Sequence, residues 1–199
     1  MKRNLAWALP GSAFASLPMA AMAHTGNGNP SGIAHGFLHP LLGLDHILAM
    51  VAVGMLAASL GGRALWLVPS AFVAMMVAGG LLGMSGFALP YAETGIAVSV
   101  VVLGLAVAAQ ARLVPVAAMA MVGTFAVFHG FAHGAEMPGN VAGLDYALGF
   151  VLATSLLHLA GVAAGLATGL LGTRTARLSR RLGGGLIAVA GAGLMAGYL

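Results

Sequence analysis

From about residue 36 the chain is a succession of long apolar runs separated by short breaks, covering approximately 36–60, 64–86, 93–110, 114–134, 145–171 and 182–199. Each is close to the ~20 residues a helix needs to cross the hydrocarbon core. The runs are continuous, not alternating, which argues against barrel strands. The pattern predicts an all-α integral membrane bundle of six transmembrane helices. Ahead of it, Lys2 and Arg3 precede an apolar stretch from Leu5 to Leu17, and Ala21-Met22-Ala23 supplies an A-x-A site. Pro10 and Pro18 bracket too short a run for a span, so residues 1–23 read as a cleavable signal peptide. The mature chain, residues 24–199, would form one transmembrane domain beginning at His24.

The breaks fix an orientation. If the mature N-terminus is outside, the inner connections are 60–64, 110–114 and 171–182, which hold Arg63, Arg112, Arg174, Arg177, Arg180 and Arg181. No Lys or Arg remains for the outer segments, as the positive-inside rule requires. A bacterial inner membrane is expected, crossed several times, with both mature termini in the periplasm. Composition agrees: 60% of residues are hydrophobic and 6% charged, against roughly 25% charged in a soluble domain. The basic excess then reports orientation, and nucleic acid is not an expected partner. With no cysteine, disulfides and thiolate metal sites are excluded. No phosphate-binding loop or dinucleotide fingerprint is present, so neither ATP hydrolysis nor an organic cofactor is expected. Gly161, Gly165 and Gly169 form a smooth stripe for close helix contact, with His158 on the same face. Gly79-x-x-x-Gly83 and Gly193-x-x-x-Gly197 suggest similar surfaces, and such faces would allow a homo-oligomer.

Ionisable residues inside lipid-facing runs are costly and default to function. Apart from the loop arginines almost all of them fall into three groups: His35, His39, Asp45 and His46 in span one; His129, His133 and Glu136 in span four; Asp145 and His158 in span five. At 100° per residue His39, His46 and Met50 share a face, and His129, His133 and Glu136 form an i, i+4, i+7 row. Asp45 lies about a third of a turn from His46, a place better suited to orienting an imidazole on an adjacent element than to ligation. Pro40 suits a first helical position, which would put His39 ahead of the helix. Spans one and five enter from outside and span four leaves to the outside, so the groups lie at one membrane face and point to a single site. His and carboxylate donors without thiolates suit Ni²⁺, Co²⁺ or Zn²⁺. Met50 reads as packing before it reads as a soft ligand. His24, whose imidazole would sit beside the mature α-amine, is either a metal-gathering terminus or a solvated leader residue. His35-Gly36-Phe37-Leu38-His39 and His129-Gly130-Phe131-Ala132-His133 share H-G-F-x-H. Both fall on one membrane side, so shared chemistry explains the likeness better than an inverted repeat.

His39-Pro40-x-x-Gly43-x-Asp45-His46 and Phe128-His129-Gly130-x-Ala132-His133-Gly134-x-Glu136 resemble the motifs of the HupE/UreJ family, bacterial membrane proteins tied to nickel supply for hydrogenase and urease. The resemblance covers the whole chain. It implies a secondary permease or facilitator carrying Ni²⁺, or Co²⁺ in some members, with the histidines and carboxylates of both motifs as functional residues. The expectation is therefore a transporter and not an enzyme, taking a divalent metal ion through the lipid bilayer. His39, His46, His129 and His133 would take the ion, Asp45 and Glu136 would offset charge or orient rings, and His158 would be the next station inward. An intramembrane zinc-hydrolase-like metalloenzyme would use the same donors, but the sequence offers it no nucleophile motif. A non-transporting metal-binding accessory protein is the other alternative.

Overall fold

Seven helices make up the computed structural model, which describes residues 32–137 and 143–197. The expected signal peptide and His24 lie outside the described residues. The helices are α1 (Gly32–Leu42), α2 (Leu44–Leu60), α3 (Ala64–Met84), α4 (Ala92–Ala108), α5 (Pro115–Ala135), α6 (Gly143–Gly169) and α7 (Thr173–Met195), with no strand among the described residues. Three of them, α3, α5 and α6, are long and apolar enough to cross a membrane, and α1 with α2 make a fourth if the bent pair is one span.

Two elements depart from the expected spans. The first run is not one helix: it breaks at Gly43 and α1 and α2 meet at 84°. Pro40 lies near the end of α1 and not at its start. At the other end of the chain, the stretch read as an inner connection, 171–182, is helical from Thr173, so Arg174, Arg177, Arg180 and Arg181 stand on α7. Arginine is a good helix former, and low hydropathy ended the apolar run without ending the helix.

The break at Gly43 has a side-chain cause. Its φ of −94° is open to any residue, but a Cβ there would lie 2.7 Å from Asp45 Oδ1 and 3.1 Å from His46 Nδ1. Glycine is required for the room it leaves. Asp45 sits in the first turn of α2, where a carboxylate complements the exposed N–H groups and the positive end of the helix dipole.

Backbone contact at glycines joins the helices. On α5, a Cβ at Gly130 would strike the Met76 carbonyl and one at Gly134 the Gly80 carbonyl, while Gly79 and Gly83 of α3 meet Val127 and Phe131 in return. Gly54 of α2 and Gly161 of α6 cross with Gly54 against the His158 carbonyl. Gly36 and Gly149 do the same for α1 and α6, and Gly104 and Gly184 for α4 and α7. In α6 the expected stripe holds at Gly161 and Gly165, but Gly169 meets nothing within 4 Å. The proposed pair in span six fails at Gly197, which lies past the helix in a left-handed turn with open space around it. Between the crossings, Met50, Val53, Leu56, Phe72, Val100 and Leu103 are fully buried.

Gly134→Ala should therefore lower the Tm of purified protein in detergent, at a cost of about 1–3 kcal/mol for the forced separation of α3 and α5. Gly169→Ala should leave it unchanged or raise it by up to about 1 kcal/mol through helix propensity. Equal melting of the two variants would show that the crossing tolerates a side chain.

Candidate metal site

The glycine pairing of α5 decides where its histidines go. Gly130 and Gly134 face α3, and the residue before each points about 100° to the side. His129 thus reaches Ser99 of α4, and His133 reaches His46 of α2. All three histidines are buried. The bend at Gly43 then folds α1 over the same place, setting the His39 ring edge-on to His133 with centroids 4.6 Å apart. His39 Nε2 lies 3.6 Å from Glu136 Oε2, and one donor atom from each of His39, His133 and Glu136 falls within 4.8 Å of the others. His35 stacks on His39 at 6.3 Å. A recess of about 530 Å³ opens here, lined by His35, His39, His46, Glu93, His133 and Glu136 among others.

The hydrogen bonds assign the histidine tautomers. Asp45 Oδ1 accepts from the His46 backbone N at 2.7 Å and pairs with His46 Nδ1 at 2.8 Å. A carboxylate can only accept, so the His46 proton is on Nδ1 and its Nε2 carries a lone pair. That Nε2 lies 2.5 Å from His133 Nε2, so His133 donates, and its own Nδ1 is buried without a partner. His129 is fixed from the other side. Ser99 Oγ donates to the Ile96 carbonyl at 2.6 Å, which uses its one proton. At 2.8 Å from His129 Nε2 it must accept, leaving the His129 lone pair on Nδ1, also buried and unpartnered. The sequence motifs thus present three imidazoles whose bare nitrogens depend on two non-histidine partners, Asp45 and Ser99.

The structure brings together His35, His39, Asp45, His46, His129, His133 and Glu136. It separates the others. His158 is buried against the edge of the Phe72 ring at 5.1 Å with neither nitrogen paired. The contact of its carbonyl with Gly54, eight residues beyond His46, puts it about 12 Å further along α2. Met50 belongs to the apolar core. Asp145 neither lines the recess nor pairs with any of its residues among the described contacts. The expected shared face of His39, His46 and Met50 is replaced by a bend, because phase does not carry across a broken helix. Asp45 does orient an imidazole, but that of its own neighbour His46, through the space left by Gly43.

Two residues of the site were not singled out by sequence. Glu93 lines the recess from the first turn of α4, and the topology that placed Asp145 outside places Glu93 there equally. Ser99 gives no such signal: serine in a membrane helix usually satisfies itself on its own backbone, and only the fold shows the imidazole beside it. Ser99→Ala should free His129 Nε2–H, at a cost of about 1–3 kcal/mol for an unpaired buried donor. ¹⁵N spectra of histidine-labelled protein should show His129 wholly Nε2-protonated in the parent and mixed in the variant; an unchanged tautomer would sink the assignment.

The chain as a whole is similar to known proteins. A chain called Protein HupE, from Rhizobium leguminosarum bv. viciae, is 48% identical over 183 residues, covering 92% of this chain and 93% of that one. No solved structure matches. The HupE / UreJ protein family profile matches residues 12–194. With the profile matching most of the chain and a relative 48% identical over nearly its full length, the chain belongs to the HupE/UreJ family.

Proposed function

We propose that this protein is a secondary permease or facilitator for a divalent transition metal ion, nickel first, carrying it from periplasm to cytoplasm to supply nickel enzymes such as hydrogenase or urease. The bundle crosses the inner membrane six times, with α1 and α2 as one broken crossing and α4 and α7 as the two crossings of shortest apolar length. The recess opens to the periplasm and both mature termini lie there. The observation that carries the reading is the convergence of His39, His46, His133 and Glu136 donors at the mouth of an otherwise apolar bundle.

The order of events follows from exposure. Glu136 and His39 are the more exposed donors, with side chains 59% and 30% accessible. They meet the hydrated ion first, and with Glu93 and Asp45 supply negative charge against the cost of dehydration. The ion then takes the place of the proton between His46 and His133, and that proton moves to the unpartnered His133 Nδ1, so both rings stay neutral and each offers Nε2. Metal–imidazole bonds of about 2.0–2.1 Å hold two such nitrogens roughly 3 Å apart, so the rings part by a few tenths of an ångström from their 2.5 Å approach. Asp45 keeps its hold on Nδ1–H and raises the basicity of His46 Nε2. His129, with Nδ1 bare, is the next donor inward, and His158 the one beyond the Phe72 ring. Nitrogen and oxygen donors admit Co²⁺ and Zn²⁺ as well as Ni²⁺.

Flux of Ni²⁺, Co²⁺ and Zn²⁺ into proteoliposomes, each competed against the others, tests this. His46→Ala and His133→Ala should each abolish most uptake, whereas Asp145→Asn should leave it nearly intact; normal flux in either histidine variant would refute the site. Ligation requires neutral imidazole, so protons compete with the metal. Metal affinity measured by titration should therefore be full at neutral pH and fall as the pH is lowered far enough to protonate the site. Affinity that stays flat down to the pH at which the protein unfolds would exclude histidine as the binding group.

A further inference from the structure

The end of the bundle opposite the histidine recess carries the reverse chemistry. A second cavity of about 560 Å³ lies between the α4–α5 connection and α7, lined by Ser59, Gln110, Arg112, Arg177, Arg180 and Arg181 among others. Membrane orientation accounts for the sign of these charges. It does not account for their gathering around one recess, nor for where they stand on α7. Arg177 and Arg181 are four apart, so like charges are stacked on the helix face that lines the cavity. They occupy the N-terminal part of α7, where the helix dipole also disfavours cations. No carboxylate relieves them: Asp45, Glu93 and Glu136 line the other recess, and Asp145 begins α6 at that same end.

The surroundings hold this cluster in place. Arg180 Nε donates to Thr168 Oγ1 at 2.8 Å, which aims the guanidinium through Nε and leaves its terminal nitrogens unpaired among the described contacts. Gln110 is in the left-handed region at φ 51°, unusual for a non-glycine residue, and its Nε2 donates to the Arg177 carbonyl at 3.3 Å. A strained glutamine tying the α4–α5 corner to α7 keeps Arg112 beside the α7 arginines. An anion in the cavity turns each unfavourable feature into a favourable one, since stacked cations, helix N-terminus and side-chain amide all attract it.

We infer that the cavity bounded by Gln110, Arg112, Arg177, Arg180 and Arg181 is a binding site for a phosphate group, with planar guanidinium forks as its recognition elements. Two sources share that chemistry, the headgroup of an anionic phospholipid and a soluble phosphate. The site is independent of the metal reading and would stand if that reading fell.

The test uses the purified full chain, delipidated in neutral detergent and examined by native mass spectrometry with added phosphatidylglycerol, phosphatidylcholine or inorganic pyrophosphate. The expected result is saturable one-to-one binding of phosphatidylglycerol or pyrophosphate, with phosphatidylcholine weaker. Arg177→Gln with Arg181→Gln should weaken it by roughly tenfold for each guanidinium removed. Arg63→Gln with Arg174→Gln removes the same charge outside the cavity lining and should leave binding close to the parent's. Displacement of lipid by pyrophosphate identifies a soluble ligand; binding of phosphatidylglycerol alone identifies a headgroup site. Equal weakening in both double variants, adduct numbers that rise without saturation, or no binding of either anion would overturn the proposal. Should the Arg177/Arg181 variant not fold, saturation and anion selectivity in the parent protein decide the matter in the same way.

Discussion

Contact between helix backbones, possible only where a side chain is missing, is the constraint on which the rest of this structure depends. In lipid there is little hydrophobic drive for one apolar helix to join another, so association rests on close packing and polar contacts. At Gly130 and Gly134 the backbone of α5 lies directly on α3, and at Gly54 and Gly161 α2 lies on α6. Each contact leaves no room for lipid or water on that face. The side chains one position away are turned into the remaining space between helices, and in α5 those are His129 and His133. Burial of the two histidines is thus a result of how the helices meet, and their partners follow from which helices fill the gap.

A buried imidazole has one donor and one acceptor to satisfy, or a free pair to offer. The site resolves this unevenly. His46 is committed on Nδ1 by Asp45, His129 on Nε2 by Ser99, and His133 shares its Nε2 proton with His46. The atoms left over, His129 Nδ1, His133 Nδ1 and both nitrogens of His158, are buried without partners. Unpaired buried polar atoms cost on the order of 1–3 kcal/mol each. Their concentration on the histidines of α5 and α6 is a cost that packing alone gives no reason to accumulate.

Much of this was legible in the residues. Continuous apolar runs located α3, α4, α5 and α6 to within a few positions, because hydrophobicity must persist for as long as a helix is in contact with lipid. The two histidine motifs and their meeting at one end followed from span parity, a discrete property that survives errors in boundaries. What escaped was local and geometric. The bend at Gly43 depends on a carboxylate–imidazole pair occupying the place of a Cβ, and nothing in the hydropathy of 36–60 marks it. The helical start of α7 was lost because arginines lower hydropathy while favouring helix. Ser99 was invisible because its partner is thirty residues away on another helix, and Asp145 was overvalued because sharing a membrane face does not imply sharing a cavity.

The broken first helix has a consequence for the bilayer itself. With only 17 residues each, α2 and α4 extend about 25 Å, short of a hydrocarbon core of about 30 Å. Both begin at the recess, and α1 turns away from α2 just where that length runs out. The carbonyls ending α1 and the amides beginning α2 have no continuous helix to satisfy them, and in hydrocarbon they would be intolerable. Such groups need partners: Asp45 accepts from the His46 amide, and water or polar side chains have to serve the rest. A bilayer that wraps α2 and α4 has to thin or admit water at this end to match their length.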